Sequence, residues 1–106
     1  MIGRIWHGWT TVEHADTYEA LLKSDIFPGI AAKGVAGYRE IQLFRRPLSE
    51  DEVEFITIMW FDSWEAVKAF SGEDYELAYV PPQARAVLKR FDARSQHYEI
   101  PTRLTY

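Results

Sequence analysis

The chain has 106 residues, of which 47% are hydrophobic and 15% aromatic, and its formal net charge is -4. This length fits a single domain over residues 1–106, and this apolar content excludes a disordered chain. Basic and acidic residues are interspersed and SEDEVE is an acidic run, so no basic patch is available for phosphate contacts and we expect no nucleic-acid partner.

The chain has no cysteine, which excludes disulfides, thiol catalysis and thiolate metal sites and fits a reducing compartment. The opening residues MIGRIWHGW lack the basic stretch and apolar run of a signal peptide. No run of about 20 apolar residues is present to span a membrane. We therefore expect a cytoplasmic protein with no membrane partner.

The first quarter of the chain predicts a strand followed by a helix. Residues 2–9 alternate and are rich in Ile and Trp, which is typical of a strand. Thr10 and Glu13 have the spacing of a capping box, which predicts that a helix begins here. One apolar helical face follows at steps of three and four residues, made of Ala15, Tyr18, Leu22 and Ile26.

The same helix is expected to meet a breaker and then a cap. Pro28-Gly29 predicts a break or a kink, and Gly34 predicts the C-terminal cap. Residues 35–46 then read as a second strand, and PLSEDE reads as a turn. Residues 53–61, VEFITIMWF, form the third and most apolar predicted strand.

The second half again predicts a helix after a strand. Asp62 and Glu65 have capping-box spacing ahead of the helix SWEAVKAF, and EDYELAYV is compatible with another turn or two of helix. Pro82 fits the first turn of a helix PQARAVLKRF. Its predicted apolar face consists of Ala84, Val87, Leu88 and Phe91. Residues 93–100, ARSQHYEI, predict a fourth strand.

The order β-α-β-β-α-β predicts an α+β ferredoxin-like fold, an antiparallel sheet with helices on one face. A sheet with its other face in water should alternate apolar and polar residues. The third strand instead has apolar side chains on both faces, and so does the first. We therefore expect a homodimer in which the uncovered sheet face meets a second copy; single aromatic side chains facing water are the alternative.

The segments IGRIWHGWT, EFITIMWFDSWEAVKAF and HYEI resemble the dimeric α+β barrel superfamily, and within it the antibiotic biosynthesis monooxygenase family. The resemblance covers residues 2–100. It implies a pocket between sheet and helices. The family includes cofactor-free oxygenases of electron-rich polyphenols as well as haem-degrading enzymes. The haem-degrading enzymes have Asn, Trp and His at the positions that align with His7, Phe70 and Val80 of this chain. We therefore expect no haem, and we expect no other cofactor.

His7 is the predicted catalytic base of that pocket, because the resemblance aligns it with a pocket position and a neutral imidazole accepts a proton near pH 7. Trp9 would be a stacking wall on the same strand face. His97 lies on the neighbouring predicted strand and would orient His7. The plainer alternative is a half-buried strand histidine. No third ligand has a clear spacing to complete a metal site, so we expect no metal.

The segment DYELAYVPPQARAVL, residues 74–88, is the predicted lid of the pocket and is called the lid segment below. It supplies Tyr75, Tyr79 and Arg85, and Phe70 precedes it. An oxygenase without a cofactor needs a base, a partner for the substrate anion and a dry apolar cage. Arg85 would be the anion partner, and Phe70 and Tyr79 part of the cage; core packing and a surface arginine are the alternatives.

These residues leave the reaction open. The first hypothesis is a cofactor-independent monooxygenase-like enzyme that acts on a small aromatic or polyketide-like molecule. The second is a non-catalytic small-molecule-binding or stress-response domain with the same fold. The third is an isomerase or decarboxylase that uses the same histidine as a base without oxygen.

Overall fold

A computed structural model describes all 106 residues. The elements are β1 (Ile2–Thr10), α1 (Ala15–Leu21), a π-helical segment (Leu22–Ile26), α2 (Phe27–Ala32), β2 (Tyr38–Pro47), β3 (Val53–Phe61), α3 (Trp64–Ser71), α4 (Pro82–Arg85), β4 (Arg90–Phe91) and β5 (Gln96–Glu99). The sheet has the order β2-β3-β1, and the short β4 and β5 both pair with β1. All of these pairs are antiparallel, which confirms the ferredoxin-like α+β fold.

The first helix begins four residues later than the capping-box spacing predicts, with His14 rather than Thr10 at the N-cap. Thr10 is the last residue of β1, paired with Val53, and its side chain is buried. Residues 11–14 form a turn in which the Thr11 hydroxyl accepts a hydrogen bond from the His14 N–H, at 3.3 Å. The predicted capping box is wrong because strand pairing holds Thr10 in the sheet.

The breaker Pro28 kinks the first helical run without ending it. Proline has no N–H to donate to the Ser24 carbonyl, and the preceding turn opens into the π-helical segment before α2 continues to Ala32. Gly34 follows in the left-handed region with φ of 61°. The predicted kink and the predicted glycine cap are both confirmed.

The helix after β3 is capped one residue later than predicted. The Ser63 hydroxyl accepts from the Ala66 N–H at 3.2 Å, while the Asp62 carboxylate pairs with Arg39. The helix ends at Ser71, next to Gly72 with φ of 88°. Because the neighbouring arginine engages Asp62, the serine takes the capping position.

The last third of the chain holds less helix than its pattern predicts. Residues 72–81 contain no helix, and α4 ends at Arg85. The Lys89 N–H donates to the Trp9 carbonyl at 2.7 Å, so the chain leaves the helical path and joins β1 as β4. The end of the predicted helix PQARAVLKRF is thus the strand β4, and the predicted fourth strand, residues 93–100, is shortened to β5. None of the helices is long and apolar enough to cross a membrane.

Two separate clusters of buried side chains form the core between the sheet and the helices. The first is built around Tyr18, Phe55 and Val80, and the second around Met59, Phe61 and Val67. On β3, Thr57 lies between them and belongs to neither cluster. The centre of the sheet is thus not filled by core side chains.

Candidate functional site

The pairing of β1 with β3 decides which residues face the helices. Trp6 pairs with Thr57 and Gly8 pairs with Phe55, so the even residues of β1 share a face with the odd residues of β3. That face carries the two core clusters. The opposite sheet face, which we call the open face, carries the odd residues of β1, including Ile5 and His7.

A cavity of about 570 Å³ lies between the sheet and the helices, at the gap between the two core clusters. Its floor includes Trp6 and Thr57 of the sheet. The π-helical segment and the lid segment supply other walls. Five aromatic residues from different parts of the chain line it, namely Trp6, Tyr18, Phe27, Phe70 and Tyr79. Its size and its mainly apolar lining are those of a small-molecule site.

Trp6 is held at the cavity floor by a hydrogen bond and by a glycine. Its indole N–H donates to the Asp92 carbonyl at 2.8 Å. A Cβ at Gly8 would meet two atoms of the indole ring at 2.8 and 2.9 Å and Leu88 at 3.1 Å. Gly8 therefore leaves the space that this position of the ring requires.

Arg4 brings a buried positive charge to the wall of the cavity. The residue is only 6% exposed, and its Nη1 is in contact with the Ser71 hydroxyl, the Tyr75 carbonyl and His97 Nε2. All of its protein partners lie on Nη1, and none is a carboxylate. Burial lowers the pKa of the Arg4 guanidinium to about 10, so it remains charged at neutral pH.

His97 supports Arg4 from the adjacent strand. The two residues are opposite each other in the register, and Arg4 Nη1 lies 3.0 Å from His97 Nε2. Because Arg4 is the donor, Nε2 must accept and the proton is on Nδ1, which is buried without a partner. Burial, and secondly the charge of Arg4, lower the pKa of His97 to about 4. The imidazole is therefore neutral.

The remaining polar groups of the cavity lie on the helical side. Tyr18 is 1% exposed, its hydroxyl makes no hydrogen bond within the protein, and burial raises the pKa of this hydroxyl above its usual range. Asp25 and Lys33 are exposed residues of the lining, and Asp25 accepts from Gln83 at 3.2 Å. Inside, the cavity thus offers neutral and cationic donors.

The structure places His7 away from this cavity. Its side chain is on the open face, where Nδ1 lies 3.3 Å from a Glu54 carboxylate oxygen and the ring stacks on Trp9 at 5.9 Å. The guanidinium carbon of Arg90 lies over the Trp9 ring, 3.9 Å from its centre. The expected pocket position of His7 and Trp9, and their proximity to His97, are wrong: the backbone of the sheet separates them from the cavity.

Only some of the site residues predicted in and next to the lid segment line the cavity. Phe70 and Tyr79 line the cavity as expected, and Tyr79 is 81% exposed. Tyr75 offers only its backbone carbonyl to Arg4, while its ring packs on Trp64 and His97. Arg85 is not an anion partner in the cavity, because its Nε donates to the Val80 carbonyl at 2.9 Å and its guanidinium lies over Phe91.

Arg4, Trp6 and Tyr18 line the cavity, and the sequence-based prediction gives none of them a functional role. Arg4 carried a usable signal. It is the one charged residue in the otherwise apolar or small set of Ile2, Trp6 and Gly8 on its strand face. A charge in a buried pattern is a sign of function, because it costs free energy to remove from water.

No protein-family model matches the sequence, and no curated protein matches it. Among solved structures, a Bacillus cereus protein provisionally named an antibiotic biosynthesis monooxygenase aligns over 99% of this chain and 94% of its own, with a TM-score of 0.61 and 12% identity. A protein from Chloroflexus aurantiacus with the same provisional name aligns over 99% and 96%, with a TM-score of 0.53 and 19% identity. The similarity confirms the fold expected from the resemblance.

Proposed function

We propose that the protein binds a small aromatic or polyketide-like molecule in the cavity between sheet and helices and acts on it as a cofactor-independent monooxygenase. The observation that carries the proposal is the cavity itself, about 570 Å³ with aromatic walls, at the place where a domain of this size would otherwise pack its core. An unfilled core costs stability, so a ligand-sized space of this kind supports a binding function.

The lining suits a flat, electron-rich ligand. Trp6 and Phe70 offer apolar faces from the sheet and from α3, and the Tyr18 hydroxyl is free to donate to a ligand oxygen. Such apolar walls reduce the access of water to a reactive anion and to O2. In an anthrone, for example, a methylene carbon would become a carbonyl: one oxygen atom enters the product, and the other leaves as water with the two hydrogens.

Oxygen uptake tests this proposal. We expect the protein to consume one O2 for each substrate molecule in a panel, without added metal, flavin or haem. An anthrone should yield the anthraquinone and water, and a hydroquinone should yield the hydroxyquinone and water. Thr57→Phe should abolish the uptake because the ring fills the cavity from its floor. The matched control Thr57→Val keeps the volume and should retain it. Uptake that survives in Thr57→Phe contradicts the proposal.

A specific observation favours the non-catalytic alternative as the second candidate. The imidazole of His97 is engaged by Arg4, and Asp25 is the one carboxylate of the lining and is exposed. Without a base inside the cavity, only substrates that are themselves acidic would react. Tight binding of aromatic ligands with no oxygen uptake and no product would identify a binding domain. The same result would remove the isomerase and decarboxylase hypothesis.

The open face supports a homodimer. Ile5, Ile56, Ile58 and Trp60 lie on it in the two central strands, and Phe44 beside them is 48% exposed. A contiguous apolar patch at the centre of a sheet is unusual for a monomer, and a second copy related by a two-fold axis would cover it.

Sedimentation tests the dimer directly. We expect twice the chain mass at micromolar concentration and a shift to monomer in Ile58→Asp, because the new charge would lie at the centre of the interface. Ala20→Asp places the same charge on the exposed side of α1 and should leave the mass unchanged. A wild-type monomer would rule out this interface.

A further inference from the structure

We infer that the cavity selects ligands that carry an oxyanion, a carboxylate or an ionised phenol or enol, and that Arg4 is the residue that pairs with it. The inference rests on the proposed use of the cavity as a binding site. It concerns what the site recognises, whichever of the two proposed functions the site serves.

The first argument is that Arg4 has no counter-charge. It forms no ion pair with any Asp or Glu, unlike Arg39, Arg45, Arg90 and Arg94, each of which pairs with a carboxylate at the surface. Arg4 is 6% exposed and its contacts are a hydroxyl, a backbone carbonyl and a neutral imidazole. A buried cation is costly unless it is paired, so an anionic ligand would supply the missing partner.

The second argument is that part of the guanidinium is free. A guanidinium has five N–H donors, and every protein contact of Arg4 involves Nη1. Nε and Nη2 donate no hydrogen bond to the protein. Neither is a fully buried atom without a partner, so both are accessible to a ligand. These two nitrogens form the fork that binds an oxyanion with two parallel hydrogen bonds.

The third argument is that the surroundings hold the fork in place. Ser71 and Tyr75 lie just before and within the lid segment, and His97 is on β5, so three parts of the chain hold Nη1. The Phe70 ring lies 5.5 Å below the guanidinium carbon and itself lines the cavity. A preorganised donor in an apolar cavity binds an anion more strongly than a mobile surface arginine does.

Lys33 is the natural internal control. Its Nζ lies 5.0 Å from the centre of the same Phe70 ring and it also lines the cavity, but it is exposed to water. If any positive charge near the cavity attracted anions, both cations would matter. If the buried fork is the recognition element, removing Lys33 should have little effect because water screens its charge.

The test compares two probes of nearly identical shape, 2-naphthoate and its neutral amide, 2-naphthamide, by titration calorimetry and quenching of Trp fluorescence. In the wild type we expect naphthoate to bind about 10- to 100-fold more tightly, the range for a charge-assisted hydrogen bond. Arg4→Met should remove this preference while naphthamide still binds, and Lys33→Met should keep it. The absorbance of bound 2-naphthol distinguishes the two oxyanions: a lowered phenol pKa identifies a phenolate site, and an unchanged one restricts the site to carboxylates.

Equal affinity for the two probes in the wild type overturns the inference, and that comparison needs no variant. A preference that survives in a folded Arg4→Met protein also overturns it. Should Arg4→Met not fold, Arg4→Lys keeps the charge, loses the planar fork, and should reduce the preference. Preferential binding of naphthoate, with no oxygen uptake from the anthrone and hydroquinone panel, leaves this inference standing and refutes the monooxygenase. Oxygen uptake from that panel, with no preference for naphthoate over naphthamide, supports the monooxygenase and refutes this inference. If neither probe binds, both fail.

Discussion

Replacing Gly8 with alanine tests the packing that creates the cavity. The added Cβ would meet the Trp6 ring at 2.8 and 2.9 Å and Leu88 at 3.1 Å. Real carbon contacts are not this short, so the indole must move, and it is a rigid ring whose N–H is bound to the Asp92 carbonyl. We expect the ring to be displaced from its present position at the cavity floor.

The size of the effect follows from three contributions. Overpacking a core position costs about 1–3 kcal/mol, and a strained indole hydrogen bond adds a cost of up to about 1 kcal/mol. Against these, alanine reduces the freedom of the unfolded chain and returns about 0.4–1 kcal/mol. The net loss in the free energy of unfolding should be about 1–2 kcal/mol, which lowers Tm by about 5–10 °C in a domain of this size.

Gly3→Ala is the matched control on the same strand. Its Cβ would lie 3.7 Å from Ile100 and 4.0 Å from Trp60, ordinary contact distances, so we expect unchanged or slightly raised stability. Urea unfolding and thermal melts of both variants, with naphthamide affinity as a second readout, make the comparison. The reasoning is refuted if Gly8→Ala is as stable as Gly3→Ala and binds the probe equally well.

Three further predictions concern the histidines and the lid segment. His7→Phe should change ligand affinity less than about twofold, because the sheet separates His7 from the cavity; a large loss measured by calorimetry would restore His7 to the site. His97 has a lower pKa folded than unfolded, so the unfolded chain takes up its proton first and stability should fall as pH decreases from about 6.5 to about 4; this loss should be smaller in His97→Gln in pH-dependent urea melts, and equal slopes would contradict it. Amides of residues 72–81 should exchange faster than those of β3 and slow down when naphthoate binds, since that segment has no helix; equal exchange with no ligand effect would identify a static wall.

The fold was predictable because its signals are local. Alternation over residues 2–9 and an apolar run over residues 53–61 mark the two central strands, and Gly34 and Gly72 mark helix ends. Capping residues were misplaced where a tertiary partner competed. Thr10 is held by pairing with Val53 and Asp62 by Arg39, and neither partner is close in sequence.

The site was predictable only in part, and the reason lies in the sheet. Alternation correctly separated His7 and Trp9 from Arg4 and Trp6, but both sets are largely apolar or aromatic. Periodicity gives the two faces and does not say which one the helices cover. That depends on how the chain crosses over the sheet, so the resemblance aligned His7 with a pocket that lies on the opposite face of the sheet.

An NMR titration tests most directly the claim that the cavity between the sheet and the helices is the functional site. Amide and indole shifts would be followed as 2-naphthoate is added to the ¹⁵N-labelled protein. We predict that the largest changes occur at the Trp6 indole, Thr57 and Ser71, with small changes at Ile56 on the open face. Changes concentrated at Ile56 and its neighbours His7 and Glu54, with Trp6 unaffected, would contradict the account.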